Sequence, residues 1–299
     1  MKLSRRTFFK VNVAGAAALA AVPRTVSAAS LAANPDARGM LVDTTLCTGC
    51  RACEAACSEA NALAEPALAG DERVFATTRD TDQYHFTVVN RFEGAGGGAS
   101  ERFVKKQCMH CVDPACVSAC PARALEKTGD GAVTYTGSRC LGCRYCMMAC
   151  PFDVPKFEYE KAVPYIRKCS FCAERQARGE PPACAEVCPS GALQFGTRAE
   201  LLEEAKRRIY RNPDKYVHHV YGELEAGGTS WLYLSDVPLD RLGMKTGLST
   251  TPYPALTKTA LSAVPVVMTL WPPLLMGLYT FSRRTEQVKA DAEKEHDHV

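Results

Sequence analysis

The residues with the most chemistry to offer are sixteen cysteines, and every one falls in a block of four. The third block is the most compact: Cys140, Cys143, Cys146 and Cys150, spaced by two, two and three residues and followed by Pro151. The first block, Cys47, Cys50, Cys53 and Cys57, repeats that spacing. The second, Cys108, Cys111, Cys116 and Cys120 with Pro121, opens to four residues in the middle. The fourth, Cys169, Cys172, Cys184 and Cys188 with Pro189, opens to eleven. Three thiols that close together can cap three corners of one iron–sulfur cube, and the fourth, pushed onward, reaches a second cube. Sixteen ligands at four per cube predict four [4Fe–4S] clusters with no thiol left over.

Two plainer readings compete. Exported, cysteine-rich chains often build disulfides, but two intervening residues make poor bridge geometry, and that spacing recurs six times. Paired C-x2-C sites also read as zinc, yet zinc needs neither the third thiol nor the Cys-Pro ending. Small residues surround the thiols: Gly49, Ala52, Ala55, Ala56, Ala115, Ala119, Gly142, Ala149, Ala183 and Ala185. They let backbone N–H groups approach the sulfurs, and such hydrogen bonds help set cluster potential.

Other chemistry is thinly represented. No C-x-x-C is followed by His, so covalent c-type haem is excluded. His110 sits between two expected ligands and reads as a hydrogen-bond donor to the cluster rather than an iron ligand. His218 and His219 read as surface residues, with haem ligation the alternative; His296 and His298 belong to a polar tail. No Ser/His/Asp arrangement, P-loop or isolated carboxylate pair claims a reaction, so catalytic residues are expected to be none. The run Gly94–Gly98 lacks the strand–glycine–helix context of a dinucleotide site and reads as a loop.

The two ends address the chain to a membrane. Ser4-Arg5-Arg6-Thr7-Phe8-Phe9-Lys10, an apolar run over 11–22 and Val26-Ser27-Ala28 predict a signal peptide over 1–28, of the twin-arginine kind. That route carries folded cargo, so clusters can be assembled on reduced thiols before export. Residues 1–28 hold five basic side chains and no acid, leaving 31 basic against 33 acidic residues after cleavage. The formal +3 therefore belongs to the signal and argues for no nucleic acid. Near the other end, 259–282 carries no charge. As a helix it spans roughly 36 Å at ~1.5 Å per residue, enough for a ~30 Å hydrocarbon core. Pro265, Pro272 and Pro273 suit a membrane helix better than a soluble one. Arg283 and Arg284 place that end in the cytoplasm, leaving the cysteine-rich body on the periplasmic side of the inner membrane.

The elements that must position the thiols are short. Leu41–Asp43 predicts a strand entering the first block. Residues 58–107 read as an insertion with strands over Tyr84–Phe92 and Phe103–Lys105. Ala122–Leu125 is expected to finish a helix and begin a strand. Thr128–Gly131 makes a turn, and Val133–Tyr135 returns. Leu193–Phe195 should close the core. Thr197–Glu200 fits a capping box ahead of a helix over Leu201–Tyr210. Residues 211–257, rich in Gly, Pro and Tyr, read as an extended arm over the body.

The order of cluster loop, helix, hairpin and cluster loop resembles a two-cluster bacterial ferredoxin. The whole four-block order resembles the four-cluster electron-transfer subunits of membrane-bound redox complexes, including the β subunits of formate dehydrogenase, dimethyl sulfoxide reductase and polysulfide reductase. Gly39-Met40-Leu41-Val42-Asp43, Gln107-Cys108-Met109-His110-Cys111 and Cys150-Pro151-Phe152 carry the likeness, which covers 39–200. With its own twin-arginine signal and C-terminal helix, the chain is most similar to the iron–sulfur subunit of hydrogenase-2 type uptake hydrogenases. The resemblance implies interleaved ligands. Cys47, Cys50 and Cys53 would share a cube with Cys188, and Cys169, Cys172 and Cys184 one with Cys57. Cys108, Cys111 and Cys116 would go with Cys150, and Cys140, Cys143 and Cys146 with Cys120. The first block departs from the pattern in ending Cys57-Ser58 rather than Cys-Pro.

The expected fold is α+β: two interleaved dicluster-ferredoxin-like units with a β-rich insertion, a C-terminal extension and one transmembrane helix. The expected organisation is a signal over 1–28, a four-cluster core over 29–198 with the 58–107 insertion, an arm over 199–257, a transmembrane helix over 258–283 and a cytoplasmic tail over 284–299. The implied role is a non-catalytic relay between a periplasmic catalytic subunit, a [NiFe] hydrogenase, and a quinone-reactive integral membrane subunit. The alternatives are the same relay for a molybdenum or tungsten oxidoreductase, and a metal-stapled structural subunit.

Overall fold

A computed structural model describes residues 34, 36–64, 71–94 and 101–296. The predicted signal over 1–28, most of the glycine loop and the last three residues lie outside the described residues. The chain divides into a body, 27–254, and a second unit that holds the C-terminal helix.

The body begins with strand β1 (Arg38–Asp43) and helix α1 (Ala52–Ala60). A hairpin follows, β2 (Thr87–Phe92) and β3 (Arg102–Gln107), in register from Thr87 opposite Gln107 to Phe92 opposite Arg102. The second and third cysteine blocks bracket helix α2 (Ala115–Ser118), the hairpin β4 (Leu125–Lys127) and β5 (Val133–Tyr135), and helix α3 (Tyr145–Ala149). Short strands β6 (Lys156–Phe157) and β7 (Ile166–Arg167) lead to helices α4 (Ala173–Ala177) and α5 (Ala183–Glu186). Strand β8 (Leu193–Thr197), helix α6 (Arg198–Arg211) and strand β9 (Trp231–Leu234) complete the body. Helix α7 (Tyr253–His296) ends the described chain.

The principal sheet has the order β8-β1-β9. β1 lies in the middle, antiparallel to β8 with Met40 opposite Phe195, and parallel to β9 with Met40 opposite Trp231. Its alternation is set by the two faces it must satisfy. Met40 and Val42 join Trp231 and Tyr233 in the core beside the cysteines. Leu41, Leu232 and Leu234 point the other way, under Leu201 and Ala205 of α6. A strand buried on both faces reads as an unbroken apolar run, which Met40-Leu41-Val42 and Trp231-Leu232-Tyr233-Leu234 both are.

β9 corrects the expected arm. Residues 231–234 are not laid over the body but form its third core strand, and all four side chains are fully buried. Aromatic and leucine side chains gain more free energy inside the sheet than an exposed arm would allow, roughly 1.5–3 kcal/mol each. A second difference lies at α2. The helix stops at Ser118, and residues 119–124 turn before β4, because the chain must leave the helix to present Cys120. The capping box is as expected: Glu200 N–H donates to Thr197 Oγ1 at 3.3 Å, and Thr197 N–H donates to Glu200 Oε2 at 3.4 Å.

α7 runs 44 residues, longer than the predicted 258–283. Its 253–289 stretch is long and apolar enough to cross a membrane. Leucine and valine side chains along it, such as Val266, Leu270 and Leu275, are exposed, unlike those of a helix buried in a soluble core.

Candidate metal centres

The opening C-x-x-C loop of each block shares one backbone device. The third residue of each takes positive φ: Gly49 at 71°, His110 at 48°, Gly142 at 69° and Phe171 at 58°. This left-handed turn aims the loop's N–H groups inward at an anionic guest. Gly142 N–H donates to Cys140 Sγ at 3.4 Å, and Phe171 N–H donates to Cys169 Sγ at 3.3 Å. Glycine makes the conformation easy in the first and third blocks. In the second and fourth, His110 and Phe171 hold it by packing, their rings stacked with centroids 5.1 Å apart.

The C-x3-C spacing has an equally local cause. Four residues make about one turn and about 6 Å of rise. Cys53 and Cys57 both sit on α1, one turn apart, and α2, α3 and α5 hold Cys116, Cys146 and Cys184 one turn before Cys120, Cys150 and Cys188. Each helical turn hands the chain from one set of thiols to the next. α1 packs against α5, and α2 against α3, so the first block meets the fourth and the second meets the third.

All sixteen thiols are free, which disposes of the disulfide reading in this structure. Three small hollows are each lined by four cysteines. Cys57, Cys169, Cys172 and Cys184 surround one. Cys120, Cys140, Cys143 and Cys146 surround another. Cys47, Cys50, Cys53 and Cys188 surround the third. The remaining four converge as well, for the Cys111 thiol feels Cys150, Cys108 and Cys116. Among the described residues no group of three or more His, Cys, Asp or Glu is placed to hold a single metal ion. Thiols ringed around a hollow suit a cube, with an iron at each corner, better than one zinc.

Electrostatics carries the same message. Burial pushes the thiols of Cys57 and Cys116 up to about 12, and those of Cys146 and Cys150 to about 11. Neighbouring thiols raise them further, so bare thiolates here are unfavourable, and a cluster's iron would supply the balancing charge. The structure also brings together what the sequence left unremarked. Lys105, Lys127 and Lys168 are drawn in among the cysteines. Lys105 and Lys168 are buried, while Lys127 is half-buried and lowered by desolvation to about 8. Lys127 Nζ donates to the carbonyls of His110 at 3.0 Å and Gly131 at 2.6 Å. Lys168 Nζ donates to the Cys169 carbonyl at 3.0 Å. No sequence signal separates these lysines from surface ones.

Among the described residues, two buried ring N–H groups have no protein acceptor. His110 Nδ1 accepts from Val133 N–H at 2.8 Å, which puts the ring proton on Nε2, a buried atom without a partner. Trp231 Nε1 is likewise unpartnered, and Trp231 lines the hollow of Cys57, Cys169, Cys172 and Cys184. Orphaned donors are costly in a protein interior, and cluster sulfurs are acceptors. The residues therefore fit iron–sulfur cubes. His218 and His219 stand apart, facing an open surface groove. The Pro213 carbonyl lies 3.0 Å from His218 Nε2, and Glu225 Oε1 lies 2.6 Å from His219 Nε2.

Comparison with known proteins agrees with this chemistry. The family model of a 4Fe-4S dicluster domain matches residues 99–198. A protein of Nitratidesulfovibrio vulgaris strain Hildenborough is 48% identical over 299 residues, covering 98% of this chain and 80% of its own length. The hydrogenase-2 operon protein HybA of Escherichia coli O157:H7 is 40% identical over 279 residues, 81% of this chain and 84% of that one. The iron-sulfur subunit of the nitrate-inducible formate dehydrogenase of Escherichia coli K12 is 36% identical over 198 residues, 65% of this chain and 66% of that subunit. The chain carries multiple [4Fe–4S] clusters. With its thiol sets, its dicluster domain and these relatives, the chain belongs to the family of iron–sulfur electron-transfer subunits that includes the hydrogenase-2 operon protein HybA.

Proposed function

We propose that the chain is a membrane-anchored electron wire of four [4Fe–4S] clusters on the periplasmic side of the inner membrane. The ligand sets are Cys47, Cys50, Cys53 and Cys188 (cube A); Cys57, Cys169, Cys172 and Cys184 (cube B); Cys108, Cys111, Cys116 and Cys150 (cube C); and Cys120, Cys140, Cys143 and Cys146 (cube D). The observation that carries the reading is that thiols of successive sets lie close enough to interact, A with B, B with C and C with D. The Cys53 thiol of A feels Cys184 of B. Cys169 of B feels Cys108 of C, and Cys116 of C feels Cys146 of D. Exposed thiols mark the two ends, Cys50 in A and Cys143 in D. Each cube supplies a one-electron couple, and the protein holds the cubes in sequence and shields B and C. The pairing of α1 with α5 and of α2 with α3 supports two interleaved dicluster units.

The partners follow from the relatives. HybA, named for a hydrogenase-2 operon, shares 81% of this chain, against 65% for the formate dehydrogenase subunit. That favours a periplasmic [NiFe] hydrogenase at one end and a quinone-reactive membrane subunit at the other. The twin-arginine pattern supports export with clusters in place, and α7 supports an anchor. No substrate is transformed on this chain. Iron analysis of the purified protein with reductive EPR tests the wire: about sixteen irons per chain and four reducible signals are expected, and an iron-poor, EPR-silent protein refutes it. Nickel that co-purifies with the native complex identifies the hydrogenase; molybdenum or tungsten in its place would move the relay to the other enzyme class.

A further inference from the structure

Lys105 lies on β3, and its side chain is 2% exposed. Lys105 lines both the hollow of cube A and that of cube B. It is held in place, donating to Thr87 Oγ1 and, at 3.1 Å, to Gln107 Oε1, with Nζ 4.7 Å from the centroid of the Trp231 ring. Among the described residues no carboxylate lies within ion-pair distance of it; nearby Glu54 is paired with Arg79 and the Val89 N–H. The groups that offset the cost of burying its charge are the thiols of Cys184, Cys53, Cys169 and Cys57. Cys53 belongs to A and the other three to B.

A buried ammonium is expensive unless a fixed negative charge faces it. A cube with four thiolates is anionic, and each added electron makes it more so. The lysine therefore favours the reduced form of whichever cube it faces, and its field is little screened in so dry a site. The other buried lysine, Lys168, donates to the Cys169 carbonyl at 3.0 Å, whereas Lys106, next along the strand, turns outward to Asp80 at 2.9 Å.

We infer that Lys105 is a positioning charge shared by cubes A and B, which raises the reduction potentials of both relative to cubes C and D. Each step passes one electron from one cube to the next, and Lys105 neither gains nor loses a proton. The inference rests on the four-cluster reading above.

The test is an EPR-monitored redox titration of the full-length, cluster-loaded protein with Lys105→Met, Lys105→Gln and Lys106→Met. Lys105→Gln keeps a donor for Thr87 and Gln107 while removing the charge. Lys106→Met makes the same change in net charge one residue away. In both Lys105 variants, two of the four clusters should become harder to reduce. The expected change is at least tenfold in the reduced-to-oxidised ratio at fixed ambient potential, about 59 mV for a one-electron couple. The other two should move less, and Lys106→Met should move all four by under half as much. Unmoved midpoints, or equal shifts from both lysines, overturn the inference. So does loss of cubes A and B from both Lys105 variants, which would make the lysine a structural counter-ion. A wild-type iron count short of four cubes refutes the wire itself and is read separately from these shifts.

Discussion

Gly49 and Gly142 occupy equivalent places in the first and third loops, at φ of 71° and 69°. Replacing either with Ala imposes the same backbone penalty, about 1–2 kcal/mol for a left-handed residue with a Cβ. The surroundings differ. A Cβ on Gly142 meets only Phe157 Cζ at 3.9 Å, an ordinary contact. A Cβ on Gly49 lands 2.7 Å from Phe103 Cγ, closer still to the ring edge, and Phe103 is packed on Phe75 with centroids 5.4 Å apart. Displacing that ring adds an overpacking cost of about 1–3 kcal/mol. Gly142→Ala should thus lower Tm by roughly 2–8 °C, and Gly49→Ala by roughly 4–20 °C, at about 2–4 °C per kcal/mol for a body this size. The assay is thermal melting of the cluster-loaded protein followed by cluster absorbance, with Phe103→Ala as a third background. Truncating Phe103 makes room, so Gly49→Ala should cost only its backbone term there, a coupling of about 1–3 kcal/mol. Equal losses for the two glycines, or a Gly49→Ala cost that Phe103→Ala does not reduce, would refute the close packing of Phe103 against Gly49.

Three further outcomes follow. Asp236 accepts from Arg102 Nε at 2.9 Å, tying β3 to the end of β9, and that bond holds its carboxyl below the usual carboxylate range. The stabilisation is present above the unfolded pKa of about 3.9 and is lost as pH falls through the lower folded value; wild-type Tm should therefore drop more between pH 6 and 3 than that of Asp236→Asn, and parallel curves would count against the pairing. Trp231→Ala, at a fully buried site of β9, should destabilise the body by about 3–5 kcal/mol, measured by denaturant melts of cluster-loaded protein; a loss under about 1 kcal/mol would restore the peripheral arm. A chain ended at Pro252, expressed without partner subunits, should move from the membrane pellet to the soluble fraction, and continued membrane binding would remove α7 as the anchor.

The cluster chemistry was legible because it is local. Cysteines with two residues between them share one loop, and a fourth, carried about 6 Å onward by one helical turn, can reach a neighbouring site. The capping box at Thr197, the turn at Thr128–Gly131 and the strands β1, β2, β3 and β8 were legible for the same reason, since each is set by neighbours in the chain. The role of residues 231–234 was not. A four-residue apolar run amid Gly, Pro and Tyr carries no mark of its partner, and only pairing with β1, about 190 positions earlier, makes it the core. Gly49 and Gly142 look alike in sequence, and only the long-range packing of Phe103 distinguishes them. Lys105 and Lys106 are adjacent and identical, and the pleat of β3 alone sends one between two sets of thiols and the other to solvent. Spacing along the chain determined what the thiols bind. The tertiary fold decided which sets lie side by side and which charges lie between them, because those relations join residues that share no stretch of backbone.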